Sequence, residues 1–413
     1  MELRRLAQRA MHELREQKEQ RGAGESAVVR LVDRMIALGL ARGASDIHIE
    51  PQAQVVRLRY RCDGLLQEVD EALPRGVLAA LVSRIKVMAG MDIAQHQKPQ
   101  DGHIRYEAEG REIDIRVSVL PSLHGEMLVM RLMNMEEQLL QIKELGFSEK
   151  NEAALRSLIR RPSGLILLCG PMNSGKTTTL YAAMSELNAI SHNLVTLEDP
   201  IERVLPGINQ VQLNAKAGLT YLTGLRAILR QDSETILLGE IRDEETAEMA
   251  VRIALTGHLI MTTLHTENAV SAIYRLFEMG VPPYLLAATL GGIIAQRLVR
   301  RICPNCREAY HVGQESPEAA LLGMGQKDSG TLHRGAGCPA CHGSGYSGRV
   351  ALQEVLVAGD MIREGILEKW PRQKMEELAR KNGLRTLEED GMEKAAAGIT
   401  SLDEVRRVLY GSV

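Results

Sequence analysis

Gly170-Pro-Met-Asn-Ser-Gly-Lys-Thr177 fills every fixed position of the pattern GxxxxGK[ST]. A loop of this kind turns successive backbone N–H groups inward around a phosphate chain. The start of the following helix adds a favourable dipole. Lys176 is then placed to reach the β and γ phosphates of a nucleotide, and the Thr177 hydroxyl to ligate Mg²⁺. The candidate nucleotide-binding residues here are Gly170, Pro171, Asn173, Ser174, Gly175, Lys176, Thr177 and Thr178.

Acids follow two other apolar segments. Thr235-Ile-Leu-Leu-Gly-Glu240 reads as a strand ending on a carboxylate that can hold Mg²⁺ through water or polarise an attacking water. Leu197-Glu198-Asp199-Pro200-Ile201-Glu202 ends a second strand on three acids. Ligands of open α/β sheets sit at the carboxyl ends of strands, so Glu240, Glu202, Glu198 and Asp199 are expected to converge on the phosphate loop. Glu240 and Glu202, with Lys176, are the catalytic candidates. His258 and His265 bracket the apolar run Leu259–Leu264, and His265 leaves it on the phosphate-loop edge, where it can sense a γ phosphate. Arg226, Arg230 and Arg242 surround the Glu240 strand, and Arg116 and Arg131 lie on earlier strands. Arginine stabilises the charge of a transferring phosphoryl group and can come from a neighbouring domain or subunit.

Cys303-Pro-Asn-Cys306 and Cys338-Pro-Ala-Cys341 form two CxxC knuckles in a short stretch of chain. Four thiolates in two such pairs suit tetrahedral Zn²⁺, and with no position left for water the site is structural. Cys62 and Cys169 read as buried free thiols.

The elements that must position these groups follow from periodicity. Residues 1–24 form a short charged segment, with Leu3, Leu6, Ala10 and Leu14 at helical spacing, read as a solvated and partly frayed helix. Gly22-Ala23-Gly24 is a hinge, and Ser26 is placed to cap the next helix, which ends at Gly43. Residues 25–135 read as a small α+β domain. In it, Val56, Leu58 and Tyr60 alternate with arginines up to an Asp63-Gly64 turn, and a helical stretch Val77–Ala89 precedes strands Arg111–Leu120 and Glu126–Met133. Residues 136–149 are a polar linker. Over residues 150–300 apolar strands (Leu165–Cys169, Leu194–Leu197, Thr235–Leu238, Leu259–Leu264) alternate with helices, the pattern of a parallel sheet covered on both faces. Residues 301–350 hold the cysteines, and residues 351–413 a charged helical tail.

The bulk numbers exclude several classes. The 413 residues carry a net charge of −3, with 25% charged and 45% hydrophobic residues, an ordinary globular balance. Two Phe, one Trp and nine Tyr leave few stacking platforms for single-stranded nucleic acid. No apolar run approaches the roughly 20 residues of a membrane span. The charged N-terminus is unlike a signal peptide, so a cytoplasmic protein that meets the membrane only through partners is expected.

Taken together these residues resemble the secretion ATPases of type II secretion and type IV pilus extension. The resemblance runs from about Glu25 to Val413. Its marks are Ala44-Ser-Asp-Ile-His-Ile-Glu50, Ser83-Arg-Ile-Lys-Val-Met-Ala-Gly90, Pro99-Gln-Asp-Gly102 and Asp114-Ile-Arg-Val-Ser118. They continue with the phosphate loop, the acids of Thr196–Glu202, Gly239-Glu-Ile-Arg-Asp243, Thr256–Thr266 and the glycine-rich Gly337–Arg349. The resemblance implies an α/β, RecA-like P-loop NTPase core with a preceding α+β (PAS-like) domain, a tetracysteine zinc insert and a helical C-terminal tail. It also implies ATP hydrolysis with Mg²⁺ by a homo-hexameric ring. Glu240 would be the catalytic carboxylate, and Arg116, Arg131, Arg226, Arg230 and Arg242 nucleotide contacts. The implied partner is an inner-membrane platform protein, which places the motor at the inner face of the cytoplasmic membrane.

Three departures stand out. Met172-Asn173 replaces Thr-Gly, Ser233-Glu234 replaces Pro-Asp, and the domain that the family commonly carries before Glu25 is expected to be reduced to a short segment. Asn tolerates left-handed backbone, so the loop is expected to keep its shape. The competing readings are a pilus retraction ATPase, which lacks the cysteines, a DNA-translocating motor, and a nucleotide-binding scaffold without hydrolysis.

Overall fold

The computed structural model describes residues 2–16, 27–68, 72–108, 110–133, 139–188, 190–313 and 330–411. The Gly22-Ala23-Gly24 hinge, the Ser26 cap and part of the 136–149 linker lie outside them. Two compact units are formed, Met1–Glu137 and Gln138–Val413. Among the described residues no helix is long and apolar enough to cross a membrane.

The first unit opens with helices α1 (Glu2–Glu16) and α2 (Ala27–Ala41). Strands β1 (Ala44–Pro51), β2 (Val55–Cys62), β3 (Leu65–Glu68) and β4 (Leu73–Pro74) follow, then α3 (Leu78–Met88) and β5 (Gln100–Ala108), β6 (Arg111–Ser122) and β7 (Gly125–Met133). The sheet is antiparallel, ordered β3-β2-β1-β7-β6-β5, with β4 beside β2. Alternation puts Ile47, Ile49, Leu58, Tyr60, Ile115, Val117, Leu128 and Met130 into one core with the apolar faces of α2 and α3. Each such side chain contributes roughly 1.5–3 kcal/mol on full burial. Asp63 (φ 48°) and Gly64 (φ 85°) make the tight turn between β2 and β3.

Helix α1 differs from its sequence reading. Leu3, Ala7 and Ala10 are buried in the same core, so the helix is a packed element rather than a solvated one. Two of the three are alanines, a weak apolar signal that works because α2 lies close against it. Glu13 accepts the Ala27 N–H at 2.6 Å and pairs with Arg30 at 3.2 Å, tying α1 to the start of α2.

The second unit begins with α4 (Glu149–Ile159), β8 (Gly164–Cys169), α5 (Lys176–Leu187), β9 (Leu194–Glu198), β10 (Asn209–Gln212) and α6 (Tyr221–Ile228). It continues with β11 (Thr235–Leu238), α7 (Glu244–Leu255), β12 (Leu259–Leu264), α8 (Ala269–Glu278), α9 (Pro283–Thr289) and β13 (Leu290–Ile302). A two-stranded hairpin of β14 (Arg307–Val312) and β15 (Gly330–Gly335) precedes β16 (Tyr346–Val357). Four helices end the chain, Asp360–Leu367, Arg372–Lys381, Leu387–Ala396 and Leu402–Tyr410.

The sheet order is β10-β9-β11-β12-β8-β13-β16, parallel throughout except for β16 against β13. Along β8, Leu165, Leu167 and Cys169 face one core, and Ile166 and Leu168 the other, as expected of a strand covered on both faces. The sheet does not end near residue 300. Strand β16 begins within the expected cysteine insert and runs into the expected helical tail, so both boundaries move. Its Gln353 N–H donates to Asp390 Oδ2 at 2.8 Å, and Lys394 Nζ donates to Ala351 O at 2.7 Å. Asn151 Nδ2 reaches Gln353 O at 3.2 Å.

Candidate active site and cysteine cluster

Strand β8 delivers the chain into the loop 170–175, and α5 starts at Lys176. Asn173 adopts φ 60° and Gly175 φ 83°, so the tolerance of Asn for left-handed backbone is used. Among the described residues no side chain caps the first turn of α5, which leaves its N–H groups for a ligand. The Ser174 hydroxyl is buried at the same place without a partner among the described residues. Thr177 and Thr178 lie half-buried in that first turn. Lys176 is buried, and its Nζ donates to Gly170 O and Pro171 O, both at 2.8 Å. Burial lowers its ammonium to about 8, opposed by Cys169, Glu240 and Glu202. An anion-binding helix start, a lysine and a free hydroxyl fit a phosphate chain.

Strands β11 and β12 bring the next groups together. Arg242 donates to Glu240 Oε1 at 2.5 Å, and His265 Nε2 lies 3.3 Å from Glu240 Oε2. The Arg242 hydrogen bond is the main reason that the Glu240 carboxyl falls below its ordinary range. Glu240 thus enters as a carboxylate held between Arg242 and His265, suited to orienting a water. The Gly239 carbonyl behind it accepts from Thr263 at 2.9 Å. His258 stands at the opposite end of β12.

The acids after β9 divide. Glu198 is buried and accepts from Tyr181, from Thr196 at 2.5 Å and from Gln210 at 3.2 Å, so its carboxylate is committed to the fold. Tyr181 in turn receives the Glu202 N–H at 3.2 Å, which fixes the backbone of that acid. Asp199 and Glu202 are exposed.

The arginines divide as well. Arg226 and Arg230 are exposed, and Arg230 donates to Arg226 O at 2.7 Å. Arg116 and Arg131 belong to the first unit, where they face each other across β6 and β7. Arg131 pairs with Asp46 at 3.2 Å, and Arg116 lies 3.9 Å from Asp114.

Three residues absent from the sequence reading matter here. Tyr181 links Glu198 to Glu202, and Gln296 and Arg297, midway along β13, donate to Ser174 O and Glu267 O. The one signal for the β13 pair was a polar Gln-Arg dipeptide closing the apolar run Leu290–Ala295.

The four cysteines come together. Their ligand atoms all lie within 4.8 Å of one another. The closest pairs are Cys338–Cys341 at 3.7 Å, Cys306–Cys341 at 3.8 Å and Cys303–Cys338 at 3.9 Å. Tetrahedral thiolates about 2.3 Å from a zinc ion stand about 3.8 Å apart, so the donor set fits. Burial pushes the Cys341 thiol up. The N–H groups of Cys338 and Gly345 and the neighbouring thiols outweigh that and bring it to about 6.

A parallel strand, phosphate loop and helix, with a carboxylate at the end of a nearby strand, define a P-loop ATPase of RecA-like fold. The family described as type II/IV secretion system protein matches residues 21–407, and the chain belongs to that family. It is 46% identical over 385 residues to type II secretion system protein E of Pseudomonas aeruginosa, covering 93% of this chain and 76% of that protein. It is 43% identical over 381 residues to the type IV pilus assembly ATPase PilB of Thermus thermophilus, covering 92% of this chain and 43% of that protein. The crystal structure of the pilus retraction motor PilT with bound ADP is similar, with a TM-score of 0.59 and 25% identity over 90% of this chain and 95% of that one. The chain is an ATPase of the secretion and pilus-assembly family.

Proposed function

We propose that this ATPase is a hexameric motor that drives pilin or pseudopilin assembly through an inner-membrane platform protein. The observation that carries the catalytic part is the Glu240–Arg242–His265 cluster, set at the ends of β11 and β12 beside the strand that leads into the phosphate loop. In this reading the loop 170–175 and Lys176 hold the ATP phosphates, and Glu240 orients the attacking water. His265 follows the γ phosphate. Thr177, with Glu240 through water, would hold Mg²⁺, which neutralises phosphate charge when bound. Glu202, on the backbone fixed by Tyr181, assists.

Arg116 and Arg131 are assigned to a nucleotide held by their own or a neighbouring subunit. The four cysteines are assigned to one structural Zn²⁺, which also favours the extension reading over a retraction motor. The protein is placed at the inner face of the cytoplasmic membrane through its partners.

Native mass measurement and steady-state turnover of Arg131→Ala test the ring. The expected outcome is a six-fold assembly whose kcat falls more than its nucleotide affinity. A strictly monomeric form with full specific activity would sink it. Co-purification with the cytosolic part of the platform protein tests the partner. Stimulation of turnover by single-stranded DNA would instead favour a translocating motor.

A further inference from the structure

Gln296 is 1% exposed and sits on β13, next to the strand that leads into the phosphate loop. Its Nε2 donates to Ser174 O at 2.8 Å, and its Oε1 accepts from Thr179 Oγ1 at 2.9 Å. Main-chain packing closes on the same residue. A Cβ at Gly170 would stand 2.4 Å from Gln296 O, and one at Gly175 would stand 2.9 Å from Gln296 Nε2. One buried residue therefore fixes both glycine ends of the loop. The next side chain on the strand, Arg297, donates to Glu267 O at 2.9 Å, two residues beyond His265. Gln353 faces Gln296 across β13 and β16 and is equally buried. Its amide serves other partners, Leu145 O at 3.2 Å and Lys394 Nζ at 3.2 Å.

We infer that Gln296 is a positioning residue that holds the phosphate loop in its receptive shape before nucleotide arrives, and so sets nucleotide affinity rather than turnover. A loop of backbone N–H donors binds tightly only if its ordering is complete beforehand. Without the amide, Ser174 O loses its donor and the ordering falls on the binding step. Once nucleotide saturates the site, the phosphates themselves hold the loop, and the chemical step proceeds as before. The same logic makes Thr179 a weaker contributor, because its hydroxyl only steadies the Gln296 amide.

The inference rests on reading Gly170–Thr177 as the nucleotide loop. Its test is steady-state ATPase kinetics and titration with a fluorescent ATP analogue and Mg²⁺ on the full chain. Gln296→Met, which keeps volume, is expected to raise KM and Kd about tenfold with kcat within about twofold. Gln296→Glu, which turns an acceptor towards Ser174 O, should raise them further. Thr179→Val should give a smaller rise that is not additive with Gln296→Met. Gln353→Met controls for core damage, lowering Tm while leaving KM in place. An unchanged KM in Gln296→Met overturns the inference. So does an equal KM rise in Gln353→Met, or a fall in kcat at constant KM. Should Gln296→Met fail to fold, Thr179→Val and Gln296→Glu decide alone. Lys176→Ala separates the two layers. Wild-type affinity there removes the loop reading itself. Lost affinity there beside silent Gln296 variants removes only the role of Gln296.

Discussion

The phosphate loop and the cysteine cluster hang from the same strand, β13, and are held by opposite means. Gln296 of that strand supports the loop with hydrogen bonds to residues 117 and 122 positions away in the chain. Cys303, just past the end of the strand, belongs to the first of two CxxC knuckles whose four thiols, among the described residues, meet one another and nearby backbone. The loop keeps backbone donors for a ligand that must enter and leave. The cluster encloses its donors, and four thiolates repel unless a cation sits among them. An open site is shaped by the sheet, whereas a closed one is shaped by what it binds.

That contrast can be broken from the nucleotide side first. Lys176→Ala should abolish measurable ATP binding in a fluorescent-nucleotide titration, and retained affinity would show that the loop is not the site. Glu240→Gln should keep affinity and lose turnover by about 10²–10⁴-fold, the range for a positioned acid or base. Near-normal turnover would move the role to Glu202.

Lys176 also predicts a pH dependence. Only its charged form attracts phosphate, and burial sets the free enzyme near 8. Thus kcat/KM should fall about tenfold per unit as pH rises through and above about 8. Lys176→Arg should flatten that limb, and an unchanged limb would assign it to another group. The smallest effect on nucleotide is expected from Cys338→Ser. Bound zinc should disappear by elemental analysis while ATP affinity stays within about twofold. A matching loss of affinity would mean that the two sites are coupled through β13.

What the sequence made legible was local. The phosphate loop, the four cysteines and strands such as Thr235–Leu238 and Leu259–Leu264 lie where spacing and apolar runs placed them. The loop and the strands are short segments, each complete within a few residues, and the cysteines fall in two CxxC knuckles that are each recognisable alone. Glu198 looked like Glu240, an acid ending a strand, and the structure encloses one and leaves the other half-exposed. The difference comes from Tyr181 and Gln210, neither of which leaves a trace in the sequence around Glu198. The same holds for Gln296, whose partners come from another strand and helix, and for β16, whose pairing with β13 spans the cysteines. Helix α1 was underestimated because its buried face is mostly alanine.

Asp390 and Lys394, which pair with each other at 2.5 Å as well as with β16, have a consequence for behaviour in a crowded solution. Strand β16 is the last of its sheet, and its outward backbone groups would otherwise form a template for a strand of another molecule. The Asp390 carboxylate occupies the Gln353 N–H, the Lys394 ammonium occupies the Ala351 carbonyl, and Asn151 occupies the Gln353 carbonyl. At the other margin β10 is only four residues long. The middle of one margin is thereby covered by side chains that imitate a neighbouring strand, and the other margin offers only a short template.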